Sequence, residues 1–443
     1  MKITFSDHFN YSKLLRFVLP SVVMMVFTSI YGVVDGLFVS NYVGKTPFAA
    51  VNLIMPVLML LGTVGFMIGT GGSAVIAKTL GEGNKTKANQ YFSMLVYASA
   101  VLGVIFAILG FVFIRPISIA LGAHGEMLDN CVLYSEIILI ALPAFVLQNV
   151  FQSFLVTAEK PQLGLIITVS AGITNIVFDY LFIAVFKMGI SGAAAATALS
   201  QVVGGGAPVI YFMSKNTSGL KFTKTKFFGK IFLKSCTNGS SELLTTVSMS
   251  LVNILYNFRL MEISGENGIA AYGVIMYVNF IFASMFIGYS IGSAPLVSYN
   301  YGSGNKHELK NLFKKSIVIV SISGTSLSVL ALFLSKTLSG LFVGYDKDLF
   351  DMTVHGFKLY SLSFFIMGIN IFASAFFTAL NNGLISGIIS FMRTLVFQVA
   401  VVIILPLFLG IDGIWSAVFA AELLELVLTV YFFISQNKNY KYV

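Results

Sequence analysis

Charge is what this sequence has least of. Only 10% of its 443 residues are Asp, Glu, Lys or Arg, where soluble domains carry roughly one-quarter. A water-facing globular domain and a disordered chain are excluded on that count. Two cysteines, Cys131 and Cys236, are too few for a secreted disulfide scaffold, and both sit in or beside apolar stretches that suit reduced thiols. Histidine is almost as rare: His307-Glu308 lacks the second His of a zinc-protease helix, and no other metal pattern is present. No Gly-x-Gly-Asp string occurs, and the Gly-x-Ser-x-Gly string Gly288-Tyr289-Ser290-Ile291-Gly292 lies inside an apolar run with no strand before it, so membrane enzymes of those classes lose support. Gly69-Thr70-Gly71-Gly72 and Gly81-Glu82-Gly83 neither follow a strand nor end in Gly-Lys-Ser/Thr, so no nucleotide site and no ATP-driven chemistry is supported. The formal charge of +9 comes from basic residues that flank apolar runs without an aromatic-basic face. Anionic lipid headgroups, and not nucleic acid, are the expected partner.

What the chain has in abundance is apolar surface: 57% hydrophobic residues and a mean hydropathy of +0.89. A bilayer-spanning helix takes about 20 residues. Apolar runs bounded by charged or Gly/Asn-rich breaks fall near 14–40, 51–77, 91–114, 132–156, 163–186, 192–213, 235–260, 268–298, 315–335, 356–380, 384–408 and 411–434. They are too long for barrel strands and lack period-two alternation, which predicts an all-α membrane protein of twelve transmembrane helices. The first run lacks a short apolar core with a small-residue cleavage site and reads as a retained helix.

The sequence also repeats itself. At an offset of 221 residues, Ala49-Ala50 with Ile54-Met55 fall on Ala270-Ala271 with Ile275-Met276, and Gly81-Glu82-Gly83-Asn84-Lys85 on Gly302-Ser303-Gly304-Asn305-Lys306. Thr157-Ala158 falls on Thr378-Ala379, and Gly189-Ile190-Ser191-Gly192 on Gly410-Ile411-Asp412-Gly413. One register held across six spans means a duplicated six-helix unit. Six is even, so the copies are parallel and face each other as two lobes across a midplane cavity. The expected lobes are 1–220 and 221–443, joined by a Lys-rich linker at about 214–234 that holds Lys215, Lys221, Lys224, Lys226, Lys230 and Lys234. With that linker cytoplasmic, both termini are cytoplasmic, and 19 basic residues lie inside against 7 outside, with Arg393 left within a span. That bias follows the positive-inside rule.

An acid inside a bilayer costs a few kcal/mol, about 2.5–3.5 on insertion scales, so acids within spans are functional candidates. They are Asp35, Glu136, Asp179, Glu242, Glu422 and Glu425. Asp35 lies beyond Pro20, which breaks a helical hydrogen bond and permits a kink. Asn175 is one turn before Asp179 on the same face. Two carboxylates and an amide in one lobe suit a small cation: oxygen ligands favour Na⁺, while desolvation and repulsion favour H⁺. The second copy has Tyr256 and Ala400 at the positions of Asp35 and Asp179, so the acids are not scaffold. Glu242 is a possible cavity charge in the second lobe; Glu136 reads as interfacial, and Glu422 with Glu425, one turn apart, as a pairing or bundle-facing structural pair. Gly32/Gly36, Gly65/Gly69 and Gly288/Gly292 have the small-xxx-small spacing of close helix contacts. The 42 Phe and 17 Met residues could line a pocket for amphipathic cations.

Leu19-Pro20, Val34-Asp35-Gly36-Leu37-Phe38-Val39, Phe48-Ala49-Ala50-Val51, Ala77-Lys78-Thr79-Leu80-Gly81-Glu82-Gly83-Asn84, Asn175-Ile176-Val177-Phe178-Asp179 and Gly192-Ala193-Ala194-Ala195-Ala196-Thr197 together resemble the multidrug and toxic compound extrusion (MATE) family. The resemblance covers essentially the whole chain. It implies a V-shaped pair of six-helix lobes, in the bacterial inner membrane as a monomer, that exports cationic or amphipathic compounds by alternating access in exchange for H⁺ or Na⁺, without another cofactor. It also implies a cation-coupling site at Asp35, Asn175, Asp179 and Thr197, and a bend at Pro20 linked to protonation. Some branches add a second cation site with acids in the seventh and tenth helices. Glu242 could supply the first, but no acid lies between Phe357 and Leu380. The runner-up is a lipid-linked saccharide flippase, which needs a cationic cavity where this chain offers only Arg393; a membrane-embedded enzyme is more remote.

Overall fold

The computed structural model describes residues 3–442, with the side chains of Val33, Leu37, Ser40, Asn41 and Lys45 outside the description. Every regular element in it is helical. The first half consists of α1 (Tyr11–Phe38), α2 (Lys45–Gly81), α3 (Lys85–Ala120), α4 (Gly125–Thr157), α5 (Pro161–Asp179) and α6 (Ile190–Met213). After α7 (Gly229–Asn238) come α8 (Ser240–Gly302), α9 (Lys306–Val343), α10 (Lys347–Ser361), α11 (Phe364–Ala379) and α12 (Gly383–Phe391). The chain ends in α13 (Phe397–Ile404), α14 (Pro406–Leu409), α15 (Ile411–Trp415) and α16 (Ala417–Tyr440).

Ten of these helical stretches are long and apolar enough to cross a membrane, and α10 with α11 form an eleventh, bent by 49°. The twelfth lies within α8. Its 63 residues would reach about 95 Å at 1.5 Å per residue, three times a hydrocarbon core of about 30 Å. Gly265, at φ 62° and ψ −150°, breaks it into two spans. Only glycine adopts that conformation without strain. Its counterpart 221 residues earlier, Gly44, likewise has positive φ at 112°. The duplication extends to helix starts: Asn84 accepts from Lys87 N at 3.1 Å, and Asn305 accepts from Glu308 N at 3.0 Å. The repeated letters are therefore repeated turns and caps.

Four apolar cores show how the halves meet. One, with Ile54, Leu58, Tyr134 and Ile183, belongs to the first half alone. A second, with Tyr256, Tyr272, Phe357 and Trp415, belongs to the second half alone. A third, with Phe92, Phe154 and Phe212, ties the linker residues Leu220 and Phe228 to the first half. The fourth is shared: Phe9, Phe17, Met24 and Val156 pack with Tyr289, Phe313 and Phe376. On the linker side the halves are fused, and away from it each has its own core. That is a V, closed where the linker runs.

Glycines make the closed end. A Cβ on Gly288 would meet Val22 Cα at 2.6 Å, and one on Gly292 would meet Val18 Cγ1 at 2.7 Å, so α1 lies directly on α8. Gly65 and Gly69 likewise press α2 onto α4. The expectation for Gly32/Gly36 is not met: a Cβ at either would find nothing within 4 Å. Those two lie in the half of α1 beyond the closed end, on faces that no neighbouring helix covers closely. The linker is also more structured than its lysines imply. Lys221 N donates to Asn89 Oδ1 and Thr223 N to Ser93 Oγ, pinning it to α3, and residues 229–238 form α7. Span seven accordingly begins at Ser240 and not near residue 235.

Candidate functional site

Helices α1 and α5 run side by side in the same direction. Gly172 permits this: a Cβ there would meet Phe27 Cε1 at 2.5 Å and Tyr31 Cδ1 at 3.1 Å. Two turns beyond that contact the helices carry Asp35 and Asp179. Each acid is followed by a π-helical segment, Val39–Val43 after α1 and Tyr180–Val185 after α5. Such widened turns recur at functional sites because they re-aim side chains.

The carboxyl of Asp35 is faced by Asp179, Asn175 and Thr197, so the four residues expected to form a site do come together. Asp179 and Asn175 are buried, and Asn175 Nδ2 donates to Thr197 Oγ1 at 3.5 Å. Both oxygens of Asp179 and Oδ1 of Asp35 are buried without a hydrogen-bond partner among the described residues. No described Lys, Arg or His pairs with either acid. Two facing carboxyls with no fixed cation repel strongly in a low-dielectric surrounding. A proton shared between them, or a hard monovalent cation held by carboxylate, amide and hydroxyl oxygens, relieves that repulsion.

Sequence reasoning missed part of this pocket. Tyr134 on α4, 1% exposed, faces Asp35, Asp179 and Thr197. Tyr31, one turn before Asp35, faces Gln148 of α4. A tyrosine costs little in an apolar helix and leaves no signal there. Glu136, two residues past Tyr134, is half-buried and is not among the groups facing the acids.

The second half is built differently at the equivalent place. Tyr256 donates to Gln398 Oε1 at 2.9 Å and stacks on Tyr272 with ring centroids 4.9 Å apart. Glu242, half-buried in the first turn of α8, faces Arg393. Arg393 is not a free cavity charge: its Nε donates to Glu422 Oε1 at 2.9 Å. Asn370 Nδ2 donates to Glu422 Oε2 at 2.7 Å. Glu422 thus pairs with Arg393 from another helix and not with Glu425. The tenth span offers Asn370 where a second acid was sought. Cys131 and Cys236 are both free thiols.

An all-helical chain with a duplicated six-span unit and an acid pair in one copy only has the build of a polytopic membrane transporter. The MatE family profile matches residues 20–181 and again residues 243–404, and the chain belongs to that family of transporters. The Multidrug export protein MepA of Staphylococcus haemolyticus (strain JCSC1435) is 26% identical over 421 residues, 94% of this chain and 92% of that protein. Its namesake from Staphylococcus aureus (strain MRSA252) is 25% identical over 429 residues, 95% and 93% of the two chains. Among solved structures, an outward-facing multidrug resistance MATE family transporter of the MOP superfamily superposes with a TM-score of 0.93 at 23% identity, covering 98% of both chains. A MATE in the straight conformation gives 0.93 at 22% identity, again covering 98% of both chains. At those identities the structural likeness speaks for the fold.

Proposed function

We propose that this protein is a secondary-active exporter of cationic or amphipathic small molecules, driven by inward H⁺ or Na⁺ exchanged at Asp35, Asn175, Asp179 and Thr197 through alternating access. The observation that carries this reading is the facing acid pair, buried Asp179 and half-buried Asp35, with no basic partner among the described residues, present in the first half and replaced by Tyr256 and Ala400 in the second. The named activity of the MepA relatives supports it. A site that must give up its cation cannot be locked in a salt bridge, and this one is not. Competition supplies the coupling: cation at the pair disfavours bound drug, and drug entering from the linker side displaces the cation. The orientation that goes with it places the linker and both termini in the cytoplasm of a bacterial inner membrane.

One proton exchanged for one monovalent drug moves no net charge. Only the pH gradient then drives export, roughly tenfold in concentration per pH unit. Each further inward charge adds about 2.3 kcal/mol per 100 mV. The flippase reading is weakened because Arg393 is already neutralised by Glu422. The test is efflux of a fluorescent organic cation from proteoliposomes, driven separately by a pH step and a Na⁺ step. Wild-type efflux should follow one gradient and fall to the leak rate in Asp35→Asn and Asp179→Asn. Undiminished transport in both variants would falsify the site.

A further inference from the structure

A second buried carboxyl, in the last span, has no role in the mechanism above. Glu425 of α16 is 0% exposed, and neither of its carboxylate oxygens has a hydrogen-bond partner among the described residues. The Thr429 hydroxyl, one turn on, is also 0% exposed, unpartnered and beside it. The charged groups facing Glu425 are Arg393 and, on its own helix, Glu422. Arg393 is committed to Glu422. From the packed elements, Glu242 of α8 faces Arg393, and Tyr360 of α10 faces both Arg393 and Glu422. Helix α11 brings the amide Asn370 and α13 brings Gln398, already bonded to Tyr256. Asp412 of α15 is occupied with His355 at 2.8 Å on the exposed rim. One fixed positive charge therefore serves three carboxyls. An ionised carboxylate buried without donor or counter-ion costs several kcal/mol, and a proton removes both the charge and the need for a donor.

A file of four hydroxyls lies between this cluster and the linker side. Thr378 Oγ1 is 2.7 Å from Ser386 Oγ, which is 3.0 Å from Ser374 Oγ, itself 2.8 Å from Ser390 Oγ. Thr394 Oγ1 donates to Ser390 O at 2.7 Å. Thr394 adjoins Arg393 in the π-helical segment Met392–Val396. The other end meets the α7–α8 junction, where Asn238 Nδ2 donates to Thr378 O at 2.9 Å. The four hydroxyls from Thr378 to Ser390 can each donate and accept, so that run can reverse its direction in series, while Thr394, bonded to a backbone carbonyl, ends it.

We propose that Glu425 is a second proton-binding site, approached from the linker side along the Thr378–Ser386–Ser374–Ser390 hydroxyls, with the Arg393–Glu422 pair fixed beside it. The proton comes from water at the linker face: an O–H bond forms on a Glu425 oxygen as one breaks on hydronium, and nothing is oxidised. The proposal stands independently of the export reading, since it concerns protonation alone.

The test uses full-length protein in lipid nanodiscs, in the Asp35→Asn, Asp179→Asn double variant so that those two acids contribute no signal. Infrared difference spectra between acid and alkaline buffer should show an exchangeable protonated-carboxyl band that is lost in Glu425→Gln and indifferent to Na⁺. Ser374→Ala with Ser386→Ala should slow its exchange into deuterated water; unchanged exchange overturns the route. A band retained in Glu425→Gln, or one abolished by Na⁺ at constant pH, overturns the site. Should Glu425→Gln fail to accumulate, Thr429→Val serves: the band should shift once its neighbouring hydroxyl is gone, and an unmoved band rejects the assignment.

Discussion

At the scale of single residues, the position of the acid pair depends on a residue that carries no charge. Gly172 lets α5 rest against the rings of Phe27 and Tyr31, and Asp35 and Asp179 follow two turns later on the same two helices. Any side chain at 172 must displace Phe27 Cε1 from 2.5 Å. Overpacking of this kind costs about 1–3 kcal/mol. Gly172→Val is therefore expected to fold with a lowered melting temperature and to lose transport out of proportion to that loss. Cation affinity, read as protection from thermal unfolding by Na⁺ or by acid, should fall with it. An affinity equal to wild type would show that the spacing of α1 and α5 does not set the site. Pocket chemistry was legible in the sequence only where it was costly. Asp35, Asp179 and Asn175 stand out because polar side chains pay heavily in lipid. Tyr134 does not, and the partner of Arg393 could not be found by spacing, since Glu422 lies on a different span.

At the scale of helices, hydropathy located all twelve spans, because a bilayer imposes length and apolarity on every one. What it could not show is where helices change character within a span. Among the described residues, three π-helical segments, after Asp35, after Asp179 and around Arg393, break no apolar run and alter no composition. The amphipathic α7 was hidden for the opposite reason: its lysines read as loop, although Ser235 and Asn238 are buried. Pro20 was visible, and α1 passes through it without interruption. A proline inside a helix removes a hydrogen bond at a cost of about 3 kcal/mol. Pro20→Ala is expected to restore the bond to Arg16 O and raise the thermal stability of the protein, while slowing efflux of the organic cation if α1 must bend during the cycle. Turnover equal to the parent's would count against bending at this proline.

At the scale of the whole molecule, the chain's first residues span both halves. Phe5 N donates to Glu159 Oε1 at 2.9 Å, in the loop between α4 and α5. Four residues later Phe9 N donates to Glu308 Oε1 at 3.0 Å, and His8 Nδ1 lies 2.7 Å from Glu308 Oε2, at the start of α9. Asn311 and Lys315 of α9 both donate to Phe9 O. Phe5 and Phe9 are buried in the core that the two halves share. The segment is thus a strap across the closed end of the V, and opening the linker side requires it to let go. Burying each phenylalanine contributes about 1.5–3 kcal/mol and each hydrogen bond about 1 kcal/mol, enough to bias a two-state equilibrium strongly. Asp7 shapes the strap by accepting from Thr4 N and pairing with Lys13. The Lys13 bond, then that from Thr4, holds its carboxyl below the usual range. Its contribution is therefore complete above the ordinary carboxylate value and is lost only as pH falls through the depressed one, so it does not act as a switch near neutrality. Removing residues 1–9 should shift the population toward a linker-side-open form, and Glu308→Ala should do so in part. Spin labels at Gly83 and Gly304, on the two linker-side loops, would report this as a longer distance distribution. Unchanged distances in the truncated protein would mean that the glycine contacts of Gly288 and Gly292 hold that end closed without the strap.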